Sequence, residues 1–326
     1  MYHDLTLRDG SHALRHRLTL ETIEKYCKFA EDAGADVIEV GHGNGLGASS
    51  LCIGESLHTD IDMLRTARKH LKRTKLSVHI IPGVATIPRD IAPAVAAGVD
   101  IFRVASHCQE ASMTKSHIEY LAQRGKYVLG VLMMSALCTP EELLLQASKM
   151  KMYGACGIVF MDSTGSFLPR DVQERVQCLC SLEIPVGFHG HNNLHLAVAN
   201  SMAALEAGAS FVDVTFRGFG AGAGNTPLEV MESLHPSGLD MNKVFDFCVS
   251  SPEFFAPIAT PLNLLTAQHR LFSGFDKHIM EASQQYCVSV PRLVEKIVES
   301  RLVAGQEDLI KVIAQSLSTF QKGSDP

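Results

Sequence analysis

Short apolar runs rich in Val, Ile and Phe recur along the chain, and each is followed by a stretch with helical periodicity. The runs lie at 5–7, 36–41 (DVIEVG), 76–82 (LSVHIIP), 101–106 (IFRVAS), 127–134 (YVLGVLMM), 157–162 (GIVFMD), 185–191 (PVGFHGH) and 211–216 (FVDVTF). Near-continuous apolar runs of this length predict strands buried on both faces, as in a parallel sheet covered by helices. The helical stretches lie at 19–33, 60–72, 88–97, 115–124, 140–153, 170–182, 194–207 and 226–233. They open on capping residues or Pro, and several close on Gly, at Gly34, Gly98, Gly125, Gly154 and Gly208. Eight repeats of one strand–helix unit predict an α/β fold, a (β/α)8 TIM barrel. An open doubly wound sheet fits less well. It usually carries GxGxxG after its first strand, whereas this first strand runs into Arg8-Asp9-Gly10.

Beyond about residue 236 the strand-like runs stop, and helices are predicted near 241–250, 261–272, 276–285, 291–301 and 307–319. The expected division is a barrel over 1–236 and a C-terminal helical domain over 237–326. The last residues, 322–326, are expected to fray. A length of 326 residues suits a barrel of about 250 plus such an appendage.

Charge and cysteine usage narrow the function classes. With 29 Lys and Arg against 35 Asp and Glu, the net charge of −6 argues against nucleic acid or an anionic membrane as partner. No stretch approaches the roughly 20 apolar residues of a membrane span, and no basic-then-apolar leader opens the chain. The nine Cys lack zinc-type spacing, since Cys178 and Cys180 do not make a CxxC. An odd count without a leader predicts reduced thiols and a cytoplasmic location.

In a parallel barrel the chemistry lies at the carboxyl ends of the strands. Six of the eight strands end in ionisable or amide groups: Arg8-Asp9 with His12, Glu39 with His42, Arg103 with His107, Asp162-Ser163, His189-Gly190-His191, and the glycine-rich 218–225 ending in Asn225. Residues two apart on a strand share a face, so His189 and His191 can reach one point inside the mouth. Asp9 comes from strand 1, only one strand away across strand 8 in a closed barrel. Two His and one carboxylate with open positions predict a catalytic metal site rather than a closed structural one. Mixed nitrogen and oxygen donors suit Mn²⁺, Co²⁺, Fe²⁺ or Zn²⁺, with Mg²⁺ also compatible.

Arg8 puts a cation beside that site, suited to an oxygen that gains negative charge, and it can also pair with Glu39. His12, three residues past Asp9, is a candidate general base. His16, far along the loop, and His195, expected inside a helix, are assigned no chemistry, and the other histidines and the Met133-Met134 pair are read as packing. The segment GFGAGAGN matches no nucleotide-binding fingerprint; its glycines are read as letting the chain pass close to the metal, with Asn225 as a ligand or a partner of one.

These motifs, Arg8-Asp9-Gly10-Ser11-His12-Ala13, Glu39-Val-Gly-His42-Gly, Val104-Ala-Ser-His107-Cys108, Leu132-Met-Met-Ser135, His189-Gly-His191-Asn192-Asn193-Leu194 and Gly220-Ala-Gly-Ala-Gly-Asn225, resemble the 4-hydroxy-2-oxovalerate aldolases. Those are class II pyruvate aldolases among the barrel metallolyases that include hydroxymethylglutaryl-CoA lyase. The order is kept over the whole barrel, and Gly305-Gln-Glu-Asp308 extends the match into the tail. The resemblance implies a lyase of aromatic hydrocarbon catabolism that releases pyruvate and an aldehyde from a 4-hydroxy-2-oxo acid. It implies a divalent metal, Mn²⁺ first, on Asp9, His189 and His191, with Arg8, Ser163 and His189 binding substrate. Arg8 would stabilise the enolate, His12 would take the C4 hydroxyl proton, and Glu39 and Asn225 would support the ligands. It further implies an acylating aldehyde dehydrogenase as partner, and an oligomer is compatible with it. Two features depart from the pattern. Phe272 stands where the aldolases carry a Tyr near the substrate, and the chain starts a few residues closer to strand 1. A Claisen-type enzyme acting on an acyl-CoA, or a non-catalytic assembly subunit, are the alternatives.

Overall fold

The computed structural model describes residues 1–322. Eight parallel strands close into a barrel in sequence order: β1 (Tyr2–Leu7), β2 (Val37–Val40), β3 (Lys75–Ile80), β4 (Ile101–His107), β5 (Tyr127–Met133), β6 (Gly157–Asp162), β7 (Val186–Gly190) and β8 (Phe211–Val214). The barrel closes through β8, with Tyr2, His3 and Asp4 in register with Val212, Asp213 and Val214. Alternation along each strand sends one set of side chains outward, where Ile38, Val40, Val78, Phe102 and Val212 meet the helices. The other set fills the interior. There Val37, Leu129, Val131, Val159 and Phe211 make an apolar layer, and Glu39, Arg103, His189 and Asp213 are buried as well.

The covering helices are α1 (Leu20–Ala33), α2 (Asp60–His70), α3 (Ala92–Ala96), α4 (Lys115–Ala122), α5 (Pro140–Tyr153), α6 (Pro169–Cys180), α7 (Ala197–Glu206) and α8 (Leu228–Leu234). Their ends follow the local chemistry. The Thr139 hydroxyl accepts from the Glu142 N–H while Glu142 reaches back, and α5 ends at Gly154 in the left-handed region at φ 110°. The predicted helix at 88–97 divides into a π-type turn at Ile87–Ile91 and the short α3. Pro93, without an N–H, cannot continue the ladder across that junction.

Helix α9 (Met241–Ser250) is where packing departs from the expected boundary at 236. Phe247 stacks on Phe29 of α1 with ring centres 4.1 Å apart, and Phe254 packs on Tyr26 at 5.1 Å. These residues share the barrel's core. A second core starts at Leu262 and includes Ile279, Leu293, Ile297, Ile310 and Ala314. It is built by α10 (Pro261–Gln268), α11 (Asp276–Tyr286), α12 (Val290–Ser300) and α13 (Glu307–Lys322). The two cores therefore divide between Phe254 and Leu262, because the aromatic face of α9 finds its partners on α1. The expected fraying falls, beyond Lys322, outside the described residues.

The tail is tied to the barrel mouth. The Ser273 N–H donates to the Ser163 carbonyl at 3.0 Å, Arg270 donates to the Ala136 carbonyl at 3.1 Å, and the Asn193 amide donates to the Asn263 carbonyl at 3.3 Å.

Candidate metal and active site

Period-two geometry on β7 brings His189 and His191 together at the mouth, with Nε2 atoms 3.3 Å apart. Asp9, in the turn just after β1, puts a carboxylate oxygen 3.8 Å from His189 Nε2. All three side chains are buried, and their ligand atoms lie within 4.8 Å of one another. Among the described residues this is the one group of carboxylate and imidazole donors arranged to hold a metal ion.

The protonation pattern fits a cation. His189 Nδ1 lies 3.1 Å from the Asp213 carboxylate, so that nitrogen carries the hydrogen and Nε2 presents a lone pair toward His191. Burial pushes His191 down to about 3, with Asp9 opposing and His189 and Arg8 adding to the fall, so its ring is neutral. Burial alone would raise the Asp9 carboxyl, but Arg8, His191 and His12 outweigh it and hold the group well below the usual range. An ionised carboxylate and imidazole nitrogens turned toward one point are the donor set a divalent ion takes.

Arg8 is fixed from three sides. Its Nε donates to Glu39 at 2.6 Å, and Nη1 donates to Asp9 at 3.3 Å and to the Gly43 carbonyl at 3.2 Å. Nη2 has no hydrogen-bond partner among the described residues and is buried. Glu39 also faces Arg103 Nε at 3.2 Å, and Arg103 grips Asp213 with both terminal nitrogens, one at 2.8 Å. A chain of alternating charge thus crosses the interior, from Arg8 through Glu39, Arg103 and Asp213 to His189.

The glycine-rich loop after β8 wraps Asp9. The Ala221 N–H donates to the Asp9 carboxylate at 3.1 Å, and a Cβ on Gly220 would overlap the Asn225 amide and sit 3.1 Å from that carboxylate. Asn225 pairs with His191 across an isolated bridge, and its buried Oδ1 has no hydrogen-bond partner among the described residues.

Beside the triad is a cavity of about 100 Å³ lined by Arg8, Asp9, His12, Ser163, His191 and Phe272 among others. His12 also borders a wider cleft of about 750 Å³ between barrel and tail. Its ring lies over Gly43, where any Cβ would overlap it, and desolvation lowers its pKa against the pull of Asp9. Every predicted site residue except Glu39 and Asn225 therefore reaches the triad or the cavity, and those two hold its neighbours. The Ser163 hydroxyl accepts from the Met134 N–H at 3.0 Å.

The whole chain has relatives. Residues 1–244 match the HMGL-like family, and residues 262–319 match a DmpG-like communication domain. A 4-hydroxy-2-oxovalerate aldolase of Pectobacterium atrosepticum is 46% identical, over 98% of this chain and 96% of its own. One from Spirochaeta aurantia is 45% identical over 97% and 95%. The chain belongs to the 4-hydroxy-2-oxovalerate aldolase family. In fold it also resembles the carboxyl transferase domain of Rhizobium etli pyruvate carboxylase, with a TM-score of 0.80 at 16% identity, over 98% of this chain and 60% of that one.

Some placements within this aldolase family fold differ from the sequence reading. His16 is not remote: its ring packs on His12 at 4.8 Å and stacks on His42 at 3.6 Å, so it backs the candidate base. His195 is exposed in a turn at φ 59°, ahead of α7 rather than within a helix. Met133, Met134 and His79, expected to pack, line the cavity. Asp213 joins the site unannounced by any motif, its one signal being a single acidic residue inside the apolar run FVDV, the mark of an inward, partnered carboxylate.

Proposed function

We propose that this family member is a divalent-metal-dependent aldolase that cleaves a 4-hydroxy-2-oxo acid, of the 4-hydroxy-2-oxopentanoate type, to pyruvate and an aldehyde. The observation that carries the reading is the convergence of Asp9, His189 and His191 beside the free face of Arg8. Asp9, His189 and His191 would hold one ion, with Mn²⁺ preferred. When bound, that ion supplies a Lewis acid for the carboxylate and keto oxygens of the substrate. Arg8 directs its unpartnered Nη2 at the oxygen that becomes negative as the C3–C4 bond breaks. Its position is fixed in advance by Glu39 and Gly43, so no reorganisation is needed at that moment. His12, kept neutral by desolvation, accepts the C4 hydroxyl proton as the carbonyl of the leaving aldehyde forms. Ser163 and His189 face the substrate's carboxylate side, while Glu39 and Asn225 steady Arg8 and His191. Phe272 closes the cavity with an apolar ring.

The small cavity suits a short 2-oxo acid, and no observation favours the thioester or the non-catalytic alternative. An acylating aldehyde dehydrogenase is the expected partner of the tail, supported by the match of 262–319 to a communication domain. A cytoplasmic location belongs to the same reading.

Incubation with Mn²⁺ and 4-hydroxy-2-oxopentanoate, following pyruvate release, tests the proposal. Turnover is expected in the native chain and loss of it in Asp9→Asn; full activity in that variant would remove the metal site from the mechanism.

A further inference from the structure

The cavity has two kinds of wall. The metal-bearing arc of the barrel is β7, β8 and β1, and the opposite arc is β3 to β5. From that opposite side come Ile81, Val84 and Met133, which are apolar, and His79. His79 lies on β3 two residues from Ser77, whose hydroxyl faces Glu39 inside the barrel. It is 2% exposed, and its Nδ1 has no hydrogen-bond partner among the described residues. Burial, helped by Arg8 and Arg103 against Glu39, pushes the imidazole down to about 3. The ring is therefore neutral, with one N–H donor and one lone pair. His79 also borders the cavity, so its ring is the hydrogen-bonding group that this wall presents to a ligand.

We propose that His79 is a specificity-determining residue that hydrogen-bonds an oxygen on the aldehyde-derived end of the substrate, so that the preferred aldehyde carries a hydroxyl beside its carbonyl. The inference rests on the aldolase reading and names its substrate class. In that reading every oxygen shared by all 4-hydroxy-2-oxo acids already has a partner: the carboxylate and keto oxygens at Arg8 and at the ion that Asp9, His189 and His191 would hold, the C4 hydroxyl at His12. A substrate anchored on the β7–β8–β1 arc extends its remaining carbons across the mouth toward β3 and β5. Along that arc Ile81, Val84 and Met133 offer no hydrogen bond, and His79 does. A plain alkyl chain would leave its nitrogen unpaired and dry, whereas a hydroxyl at C5 would satisfy it. Sites built to bond a substrate hydroxyl discriminate strongly against the analogue that lacks it.

The test uses two aldehydes of equal heavy-atom count, glycolaldehyde and propanal, each condensed with pyruvate in the presence of Mn²⁺. The ratio of their kcat/KM values is measured within one sample, so it does not depend on the fraction of folded enzyme. Deuterium exchange at pyruvate C3, followed by NMR without any aldehyde, reports enolisation separately. The native chain is expected to exchange and to favour glycolaldehyde by ~10-fold or more, His79→Leu to bring that ratio to one or below, and His79→Asn to keep part of it. A native ratio near one, or an unchanged ratio in His79→Leu, would overturn the role of His79 while exchange upholds the aldolase reading. Absence of exchange in the native chain would instead overturn that reading, and this inference with it.

Discussion

Asp213 is the joint between the charge chain of the interior and the candidate metal triad, and Asp213→Asn probes it with almost no change of shape. In the native chain its carboxylate faces His189 Nδ1 at 3.1 Å and both terminal nitrogens of Arg103. Its side chain and that of Arg103 are each 1% exposed, so water cannot replace what is lost. Asn has one acceptor oxygen and one NH2 group, so it must turn the NH2 either to the guanidinium or to His189. Removing one member of a buried ion pair costs about 3–5 kcal/mol. Glu39, 3.2 Å from Arg103 Nε, still compensates part of the cation, which puts the expected cost near the lower end, at roughly 3 kcal/mol. The effect on the metal is separable. Loss of the partner that orients a ligating imidazole weakens metal binding by roughly 10–100-fold. The assay is a titration of the folded variant with Mn²⁺ below its unfolding temperature, reading free ion by EPR, beside a melt in EDTA. A dissociation constant within twofold of the native value, with the melt displaced downward, would refute the link to His189 and leave Asp213 as a counterion to Arg103 alone.

Other consequences are equally direct. Gly43→Ala places a methyl group in the His12 ring and is expected to lower kcat by about 100-fold, the usual share of a positioned base, while Mn²⁺ affinity stays within a few-fold; equal losses in both would contradict that separation. His42 accepts the Asn44 N–H at Nδ1 and meets the Gly54 carbonyl through Nε2, so its neutral tautomer is the one that fits. Burial pushes it down to about 4, below the ordinary 6.5. The unfolded chain then binds a proton that the folded chain refuses, and stability that is full above pH 6.5 is lost as pH falls toward 4. Calorimetric melts across that window should show the decline, and His42→Gln should make it shallower by one proton's share, the other buried histidines supplying the rest. In the second core, Ile297→Ala removes a fully buried side chain and should cost 2–5 kcal/mol by the usual range of ~2–5 for such truncations, read in the unfolding of the tail.

The order and type of nearly every element could be read from the chain, because strand and helix periods are local properties of the backbone. The same holds for His189 and His191: two residues on one strand share a face whatever surrounds them. The terminal positions of Arg8, Asp9 and Ser163 at the rim followed from the strand ends. What the chain alone did not reveal depends on closure. Asp213 and Arg103 are 110 positions apart and meet only because β4 and β8 face each other across the interior. His79 reads as an ordinary inward residue until the closed barrel places it on the cavity, with its Nδ1 unpartnered among the described residues. Likewise, α9 looks like part of the tail by composition, and only its aromatic contacts with α1 assign it to the barrel. The amino-acid order thus determined a parallel barrel with its polar groups at one rim. The tertiary fold decided which of those groups share a point, since burial, neutral imidazoles and a preset guanidinium arise only when distant strands exclude water together.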